Sequence, residues 1–166
     1  ALHHAVMDIH YRVVESNSHG LLQHDPFSWL VEEDHFVDVG DIYESQKIMN
    51  EALKYQGWEY VYGGASPTTS FDCSGLTQWC YGVAGITLPR TAQAQYDVTR
   101  HIPFGDAQPG DLVFFQGTYN CGDYITHVGI YVGDNRMYHA GNPIGFADLT
   151  SAYWQAHLVC AGRVGQ

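Results

Sequence analysis

The sequence is poor in basic residues and in long apolar runs, and each shortage excludes a class of protein. Its 166 residues include 7 Lys and Arg against 18 Asp and Glu, which gives a formal net charge of −11 with histidine neutral. An acidic chain gains no attraction from polyphosphates or anionic lipid, so we expect no nucleic-acid partner. No apolar stretch approaches the roughly 18 residues of a membrane span, so we expect no membrane insertion by this chain.

Cysteine is also scarce, with four residues at positions 73, 80, 121 and 160. None of them forms the close pairs that are typical of zinc sites, and four are too few for a disulfide scaffold in a chain of this length. A bridge between Cys121 and Cys160 stays open. The ten histidines raise the alternative of a metallopeptidase, but no His-Glu-x-x-His spacing occurs. We therefore expect neither a metal nor a cofactor.

Residues 1–40 differ in character from the remainder. They hold six of the ten histidines and show no clean hydrophobic period. This pattern predicts an N-terminal extension or linker over residues 1–40 and one folded domain over residues 41–166. A metal site at His3, His4 and His10 is disfavoured, because no carboxylate or thiolate cluster accompanies them. The start of the chain lacks the basic-then-apolar pattern of a signal peptide, so we expect export to be directed from outside this sequence.

The chain is organised around Cys73 and the apolar segment behind it. Apolar residues recur on one helical face at Leu76, Trp79, Cys80 and Val83. Asp72 is a good N-cap, and Gly75 is expected to leave the backbone near the sulfur open to a ligand. At a helix start, unpaired N–H groups and the helix dipole favour a thiolate, so we expect a lowered pKa for Cys73. Cys80, in mid-helix, is expected to be inert core.

Four further segments carry local signals. The sequence predicts a helix from Asp41 to Gly57, a short helix over Thr91 to Val98 and a buried strand over Asp111 to Phe115. The aromatic stretch Trp58 to Gly64 is predicted to be extended, packing in a sheet or forming the wall of a pocket beside Cys73. For Arg90, a solvated loop position and a structural or substrate-binding role both stay open.

A β-hairpin is predicted from Thr126 to Val132 and from Arg136 to Ala140, with its turn at residues 133–135. Each arm carries one histidine, His127 and His139. With an even loop centred on residues 134 and 135, opposite residues have numbers that sum to 269, which places the two histidines on opposite faces. We therefore predict an odd-length loop or a one-residue bulge, which returns both imidazoles to one face.

Six short motifs follow one another in the second part of the chain. They are Tyr60-Val61-Tyr62-Gly63-Gly64, Phe71-Asp72-Cys73-Ser74-Gly75-Leu76, Leu88-Pro89-Arg90-Thr91, Pro109-Gly110-Asp111-Leu112-Val113-Phe114-Phe115, Thr126-His127-Val128-Gly129-Ile130-Tyr131 and Tyr138-His139-Ala140. Together, from about residue 45 to the end, they resemble the NlpC family of papain-like cysteine peptidases, which cut bacterial cell-wall peptides. Within that family the chain is most similar to the peptidase half of bifunctional wall hydrolases encoded on conjugative elements of Gram-positive bacteria.

The resemblance implies an α+β, papain-like fold in which an N-terminal cysteine-bearing helix packs on an antiparallel β-sheet. It implies a DL-endopeptidase that cleaves the D-Glu to diamino-acid bond of peptidoglycan stem peptides. The matching positions are Cys73 for the nucleophile, His127 for the base, His139 for the residue that orients the base, Tyr62 for the tyrosine beside the nucleophile, and Asp72 and Ser74 for substrate subsites. We expect an extracellular, cell-wall location. Because a chain with a net charge of −11 gains no attraction from an anionic wall, we also expect this chain to be the C-terminal part of a longer exported protein that is targeted by a tether or another domain.

Two other functions stay open on the sequence. A Cys–His–His site also suits an amidase or acyltransferase that acts on another amide or on lipid, and a silent site would leave a wall-peptide binding module. Lysine and diaminopimelate are equally compatible with the cleaved bond, and so are free and cross-linked stems.

Overall fold

Helices and strands assemble around one antiparallel sheet in the computed structural model, which describes residues 39–165. The helices are α1 (Val39–Ala52), α2 (Cys73–Val83), α3 (Ala92–Val98) and α4 (Ala152–His157). The strands are β1 (Ala65–Ser66), β2 (Ser70–Phe71), β3 (Arg100–Ile102), β4 (Leu112–Phe115), β5 (His127–Gly133), β6 (Arg136–His139), β7 (Gly145–Asp148) and β8 (Leu158–Arg163). Strands β3 to β8 form a six-stranded sheet in the order β3-β8-β4-β5-β6-β7, and β1 pairs with β2. The α+β prediction is confirmed.

The predicted helices form with shifted ends. Helix α1 begins at Val39 rather than at Asp41, and it ends at Ala52 in a 3-10 turn over Leu53–Tyr55. Helix α3 begins after Thr91, whose hydroxyl accepts a hydrogen bond from the backbone N–H of Ala94. This Thr91 cap satisfies a donor that the helix itself cannot, which is why the short helix starts there.

The aromatic stretch over residues 58–64 is not a strand, so the alternative in which it packs in a sheet is wrong. It makes one isolated bridge, Tyr60 to Phe71, and forms a turn at residues 62–63. Gly57 and Gly63 have φ angles of +87° and +80°, in the left-handed region that interrupts an extended backbone. The stretch instead lies against the small hairpin of β1 and β2, directly before α2.

The two faces of the sheet carry separate apolar clusters. Helices α1 and α2 pack on the first face, where Leu112, Phe114, Val128, Ile130 and Tyr138 join the main core. The second face has a smaller cluster, which comprises Val113, Phe115, Tyr131, Met137 and Leu149 with Trp154 and Leu158 packed against it. Alternate residues of β4, β5 and β6 point to opposite clusters, as the two-residue period of a strand requires. The fold therefore assigns each hairpin residue to one face.

The hairpin of β5 and β6 contains the predicted bulge. Ile130 pairs with Tyr138 and Tyr131 with Met137, whereas Gly133 pairs with Arg136, so the register shifts by one residue between Tyr131 and Gly133. Gly133, Asp134 and Asn135 all have positive φ angles, of +87°, +53° and +56°. Two residues with positive φ form the tight turn that suits a twisted hairpin, and the bulge precedes it. His127 and His139 consequently lie on the same face, as predicted.

Other sequence predictions fall on a part of the chain that is not described. The extension over residues 1–40 lies outside the described residues except for its last two positions, and the histidines at positions 3, 4 and 10 lie outside them altogether. Within residues 39–165, none of the helices combines the length and the apolar character that a bilayer crossing requires.

Candidate active site

Cys73 is the first residue of α2 and lies where that helix meets strand β5. Asp72 caps the helix, accepting a hydrogen bond from the N–H of Gly75 at 2.7 Å. Backbone hydrogen bonds from Val128 and Ser74 reach the Cys73 sulfur. Because Val128 directly follows His127, this contact places the thiol beside the start of the strand that carries His127. Cys73 keeps 8% of its surface exposed. Cys80, in the middle of the same helix, is fully buried and belongs to the core, as predicted.

The thiol of Cys73 is less acidic than its position at a helix start predicts. Burial raises its pKa to about 11, with a further increase from the Asp72 charge, and the hydrogen bonds from Val128 and Ser74 and the charge of Arg90 only partly oppose this. The expectation of a lowered pKa is therefore wrong for this structure. Loss of hydration outweighs the helix terminus, and the site at rest holds a thiol rather than a thiolate.

His127 and His139 contact each other through their ring nitrogens. Nε2 of His127 lies 2.8 Å from Nδ1 of His139, and the two rings are nearly perpendicular, at 83°. This bond occupies Nε2 of His127. The other ring nitrogen of His127, Nδ1, is therefore the one that can exchange a proton. A neutral His127 that carries its hydrogen on Nε2 donates to Nδ1 of His139, which requires the hydrogen of His139 to be on Nε2.

His139 is buried and His127 is partly buried, and this loss of hydration favours the neutral form of both rings. Burial, followed by the nearby charge of His139, lowers the pKa of His127 well below its ordinary value. Burial also lowers the pKa of His139, to about 4. Desolvation disfavours the charged form of a histidine, so at neutral pH each ring is an uncharged donor and acceptor. His127 is then in the state that a proton acceptor needs.

Two glycines make the contact between the histidines sterically possible. A Cβ atom on Gly141 would lie 2.9 Å from Nε2 and 3.0 Å from Cε1 of His139, inside the contact distance of the ring. A Cβ atom on Gly129 would lie 2.5 Å from Sδ of Met137 and 3.2 Å from Cβ of His139. Any side chain at position 141 would thus press on the His139 ring and turn it away from His127.

Arg90 binds the two residues that flank Cys73. Its guanidinium donates to both carboxylate oxygens of Asp72, at 3.0 and 2.8 Å, and to the hydroxyl of Ser74 at 2.9 Å. This two-pronged contact with a carboxylate is the geometry that arginine provides and lysine does not. Asp72 and Ser74 are buried and engaged with Arg90. The sequence left the role of Arg90 open, and the structure gives it a structural contact at the helix start.

Gly75 has a different role from the one expected. The space that its missing side chain leaves open is occupied by the backbone carbonyl of Gly64, which a Cβ atom would overlap, and not by an access route for a ligand. The turn over residues 62–64 therefore packs directly on the start of α2. Gly63 in this turn donates its N–H to Asp72 at 3.0 Å, which ties the turn to the same cap.

Two tyrosines interact electrostatically with the Cys73 thiol, and a third, Tyr62, lies in the turn before α2. Tyr62 is 81% exposed. Burial, with the nearby Cys73 and Asp72, raises the pKa of the half-buried Tyr60 to about 12. The pKa of Tyr119, in the loop between β4 and β5, is raised to about 12 by burial, by its hydrogen bond with Cys121 and by Cys73. Cys73 thus influences both Tyr60 and Tyr119. The sequence had named Tyr62 and had offered the stretch that contains Tyr60 as a pocket wall beside Cys73, but it had not singled out Tyr119.

Sequence reasoning also missed Trp154. Its ring packs on both imidazoles, with centroids 5.3 Å from each. No periodic pattern marks Trp154, because helix α4 has only six residues. Tertiary packing, and not sequence proximity, brings Trp154 to the hairpin.

The described cysteines and acidic residues form neither a bridge nor a metal cluster. All four cysteines are free thiols, Cys121 included. In residues 39–165 no group of three or more His, Cys, Asp or Glu side chains is placed to hold a metal ion.

Comparison with family models gives two matches. The model described as the NlpC/P60 family matches residues 57–163. A second model, described as Mbeg1-like, matches residues 5–61, which lie largely outside the described part of the chain.

Individual proteins agree with the first match. The chain is 55% identical over 125 residues to the "Bifunctional muramidase/DL-endopeptidase CwlT" of Bacillus subtilis, a match that covers 75% of this chain and 37% of that protein. It is 47% identical over 118 residues to the "Probable endopeptidase p60" of Listeria seeligeri, covering 70% of this chain and 22% of that protein. The chain thus spans about a third of one relative and a quarter or less of the other.

A solved structure shares the fold. The crystal structure of a lipoprotein-like NLP/P60 family protein from Staphylococcus aureus superposes with a TM-score of 0.74 at 55% identity. The match covers 89% of this chain and 48% of that one.

Proposed function

Since this chain belongs to the NlpC/P60 family, we propose that it is a cysteine peptidase that hydrolyses peptidoglycan. Its substrate is the stem peptide, cut between D-Glu and the diamino acid as a DL-endopeptidase. The observation that carries the proposal is the 2.8 Å contact between Nε2 of His127 and Nδ1 of His139. Val128, which follows His127, hydrogen-bonds through its backbone to the sulfur of Cys73 at the start of α2. The name of the Bacillus subtilis relative, a DL-endopeptidase at 55% identity, supports the choice of bond.

In the proposed mechanism, Cys73 attacks the D-Glu carbonyl carbon of the bond to the diamino acid. The thiol proton passes to Nδ1 of His127 as the carbon–sulfur bond forms, while the Nε2–H of His127 stays donated to Nδ1 of His139. His139 thereby fixes the ring plane and tautomer of His127. Because burial raises the pKa of Cys73 and lowers that of His127, the proton transfer accompanies the attack rather than preceding it.

The tetrahedral intermediate carries its negative charge on the former carbonyl oxygen. The backbone N–H of Cys73 is the proposed donor to that oxygen, with Tyr62 assisting from the turn above. His127 then gives its proton to the departing amine of the diamino acid, and the carbon–nitrogen bond breaks to leave a thioester. His127 takes a proton from water as the water oxygen attacks the thioester carbon. It returns that proton to the sulfur as the carbon–sulfur bond breaks, which releases the D-Glu product and restores the Cys73 thiol.

Asp72 and Ser74 are proposed to shape the substrate subsites next to the nucleophile. Their contacts with Arg90 support a rigid site, because the guanidinium holds both flanking residues in place. The mechanism assigns no step to a metal or a cofactor.

We further infer that the domain acts outside the cell, in the wall, as part of a larger exported protein. Its net charge of −11 gives no attraction to an anionic wall polymer, so wall binding is expected to come from another part of the protein. The relatives are longer than this chain, which supports that arrangement. Co-sedimentation with purified walls tests it, and tight, salt-insensitive pelleting of this chain alone would contradict it.

Digestion of purified peptidoglycan and of defined stem peptides, with mass spectrometry of the fragments, tests the activity. We expect products that end in D-Glu and products with a new amino terminus on the diamino acid, and none with Cys73→Ala. Lysis that survives Cys73→Ala would overturn the mechanism. Binding without cleavage by the unaltered chain would identify a recognition module, and cleavage of another amide would identify an amidase or acyltransferase.

A further inference from the structure

Trp154 touches both imidazoles, although the proposed mechanism gives it no task. Its ring is 28° from parallel to that of His127 and 89° from that of His139, with centroids 5.3 Å apart in both cases. A single indole therefore lies face to face with the base and edge to face with the ring that orients the base. Aromatic rings prefer these offset and perpendicular arrangements, so Trp154 favours one orientation of each imidazole.

Helix α4, which carries Trp154, is held in place at both ends. At its N-terminal side, the Gln155 side chain donates a hydrogen bond to the backbone carbonyl of Leu149, which precedes the helix, at 2.7 Å. At its C-terminus, the backbone of His157 accepts a hydrogen bond from the N–H of Gln116 at 2.8 Å, and its Nδ1 lies 2.7 Å from the carbonyl of Gln116. Gln116 directly follows β4, so these bonds tie α4 to the sheet that carries the histidines.

The indole forms the outer side of an aromatic stack. Phe115 lies behind it, fully buried, with ring centroids 4.7 Å apart, while Trp154 itself is partly exposed. Phe115 also contacts His127, at 5.9 Å between centroids. Because Phe115 fills the inner side, truncation of Trp154 would admit water to the imidazoles from the outer side.

We propose that Trp154 is a positioning residue of this site, whose indole holds the ring planes of His127 and His139 and keeps water from the pair. This inference rests on the proposed function, because that function gives the two histidines their catalytic tasks. Trp154 itself acts only through them. Since burial is what lowers the pKa of both rings, loss of the indole should raise both pKa values toward the ordinary range.

The test compares Trp154→Ala and Trp154→Phe with Trp79→Phe in the full chain. Trp79 is a matched control, because it is also half-buried but donates to Glu51, away from the histidines. Two readouts are taken: kcat and KM for a defined stem peptide as a function of pH, and the pKa of each histidine from nitrogen-15 NMR titration. Variants of His127 and His139 to Gln assign the NMR signals.

We expect Trp154→Ala to lower kcat about tenfold or more with little change in KM, because the base is misoriented. The acid limb of the pH profile and the NMR pKa values of His127 and His139 should move to higher pH. Trp154→Phe, which retains an aromatic ring, should keep most of the normal kcat and leave the histidine pKa values near those of the unaltered chain. Trp79→Phe should change neither kcat nor the histidine pKa values.

Unchanged histidine pKa values and an unmoved acid limb in a folded Trp154→Ala would overturn the proposal, and so would equal losses in Trp154→Phe and Trp154→Ala. If Trp154→Ala does not fold, as judged by near-UV circular dichroism, the comparison of Trp154→Phe with Trp154→Leu decides by the same criteria. The NMR titration needs no substrate. Failure of the unaltered chain to cleave stem peptides would therefore refute the proposed function while the role of Trp154 is still measured.

Discussion

Two tryptophans of this domain lie beside ionisable side chains, and the two surroundings have opposite effects on charge. Trp79 belongs to a group that we call the glutamate cluster, in which Glu51 accepts hydrogen bonds from Trp79 at 2.9 Å and from the Tyr55 hydroxyl, and pairs with Lys54 at 2.9 Å. Trp154 instead covers the histidine pair, His127 and His139, with ring contacts.

Both surroundings lower pKa values, but for different reasons. Burial raises the pKa of Glu51, and the hydrogen bonds from Tyr55, Lys54 and Trp79 outweigh it, so the pKa is lowered and the carboxylate stays charged. Burial alone dominates at the histidine pair, and there a lowered pKa means neutral rings. A charge that is fully hydrogen-bonded stabilises structure, whereas neutral rings that share one bond keep a nitrogen free for proton transfer.

Removal of the base should have the largest effect. We expect His127→Ala to lower kcat/KM for stem peptides by about 10³-fold or more, because general base catalysis and the link to His139 are both lost. Glu51→Gln should retain activity at a temperature where it is folded. Steady-state kinetics on both variants measures the difference, and a His127→Ala enzyme with more than a tenth of the normal rate would exclude His127 as the base.

Loss of the charge in the glutamate cluster should chiefly affect stability. Glu51→Ala removes the acceptor of the Tyr55 hydroxyl and one of the two acceptors of the Trp79 indole, and we expect the free energy of unfolding to fall by about 2–3 kcal/mol. Glu44→Ala on the exposed side of the same helix is the control and should change it little. Urea unfolding followed by fluorescence gives both values, and equal losses would show that the cluster adds no stability.

The same cluster predicts how stability depends on pH. Because the pKa of Glu51 is lower in the folded chain than its ordinary 4.5, its contribution is present above about pH 4.5 and is lost as the pH falls through the lower folded value. Unfolding free energies measured from neutral to acid pH should therefore fall less steeply for Glu51→Gln than for the unaltered chain. Parallel curves would contradict this.

A smaller effect is expected where the histidine pair needs space. Gly141→Ala places a methyl group against the His139 ring, and we expect kcat to fall about 10- to 100-fold as the bond to His127 is displaced. Gly145→Ala is the matched control, since a Cβ atom there meets nothing within 4 Å. If both variants are equally active, His139 has room to move without consequence.

The last prediction concerns the reactivity of Cys73. With a pKa of about 11, its thiolate fraction is small at neutral pH, so alkylation by iodoacetamide should be slow there and should rise steadily up to about pH 11. Exposed Cys121 serves as the internal reference in the same sample, with both sites measured by peptide mass spectrometry. A rate that is already constant from neutral pH upward would instead indicate a thiolate–imidazolium pair.

Local signals predicted most elements and the placement of the histidines. The helix start at Cys73, the short helix after Thr91 and the buried strand at Leu112 follow from capping and periodicity, which depend on neighbouring residues. The bulge before Asp134 followed from a parity argument, because only one residue of shift brings both imidazoles to one face.

Features that depend on tertiary burial were not predictable. The pKa of Cys73 depends on how deeply the start of α2 is buried. The sequence predicts that a helix starts there, but it does not predict how much water the fold removes from the thiol. Trp154 reaches the histidines through a helix that has no pattern of its own. The prediction that Gly75 gives a ligand access to the backbone was wrong for a related reason. A glycine indicates that another group approaches closely, but it does not show that this group is the Gly64 carbonyl.

The bulge between Tyr131 and Gly133 has a consequence for engineering and for natural variation of this hairpin. Insertions or deletions of two residues in the turn conserve the parity of the strand, so the second arm would still present His139 beside His127. A change of one residue would exchange the inward and outward side chains of the entire arm, turning the imidazole toward the main core and Tyr138 out of it. The tolerated lengths of this turn should therefore all be even steps from the present one.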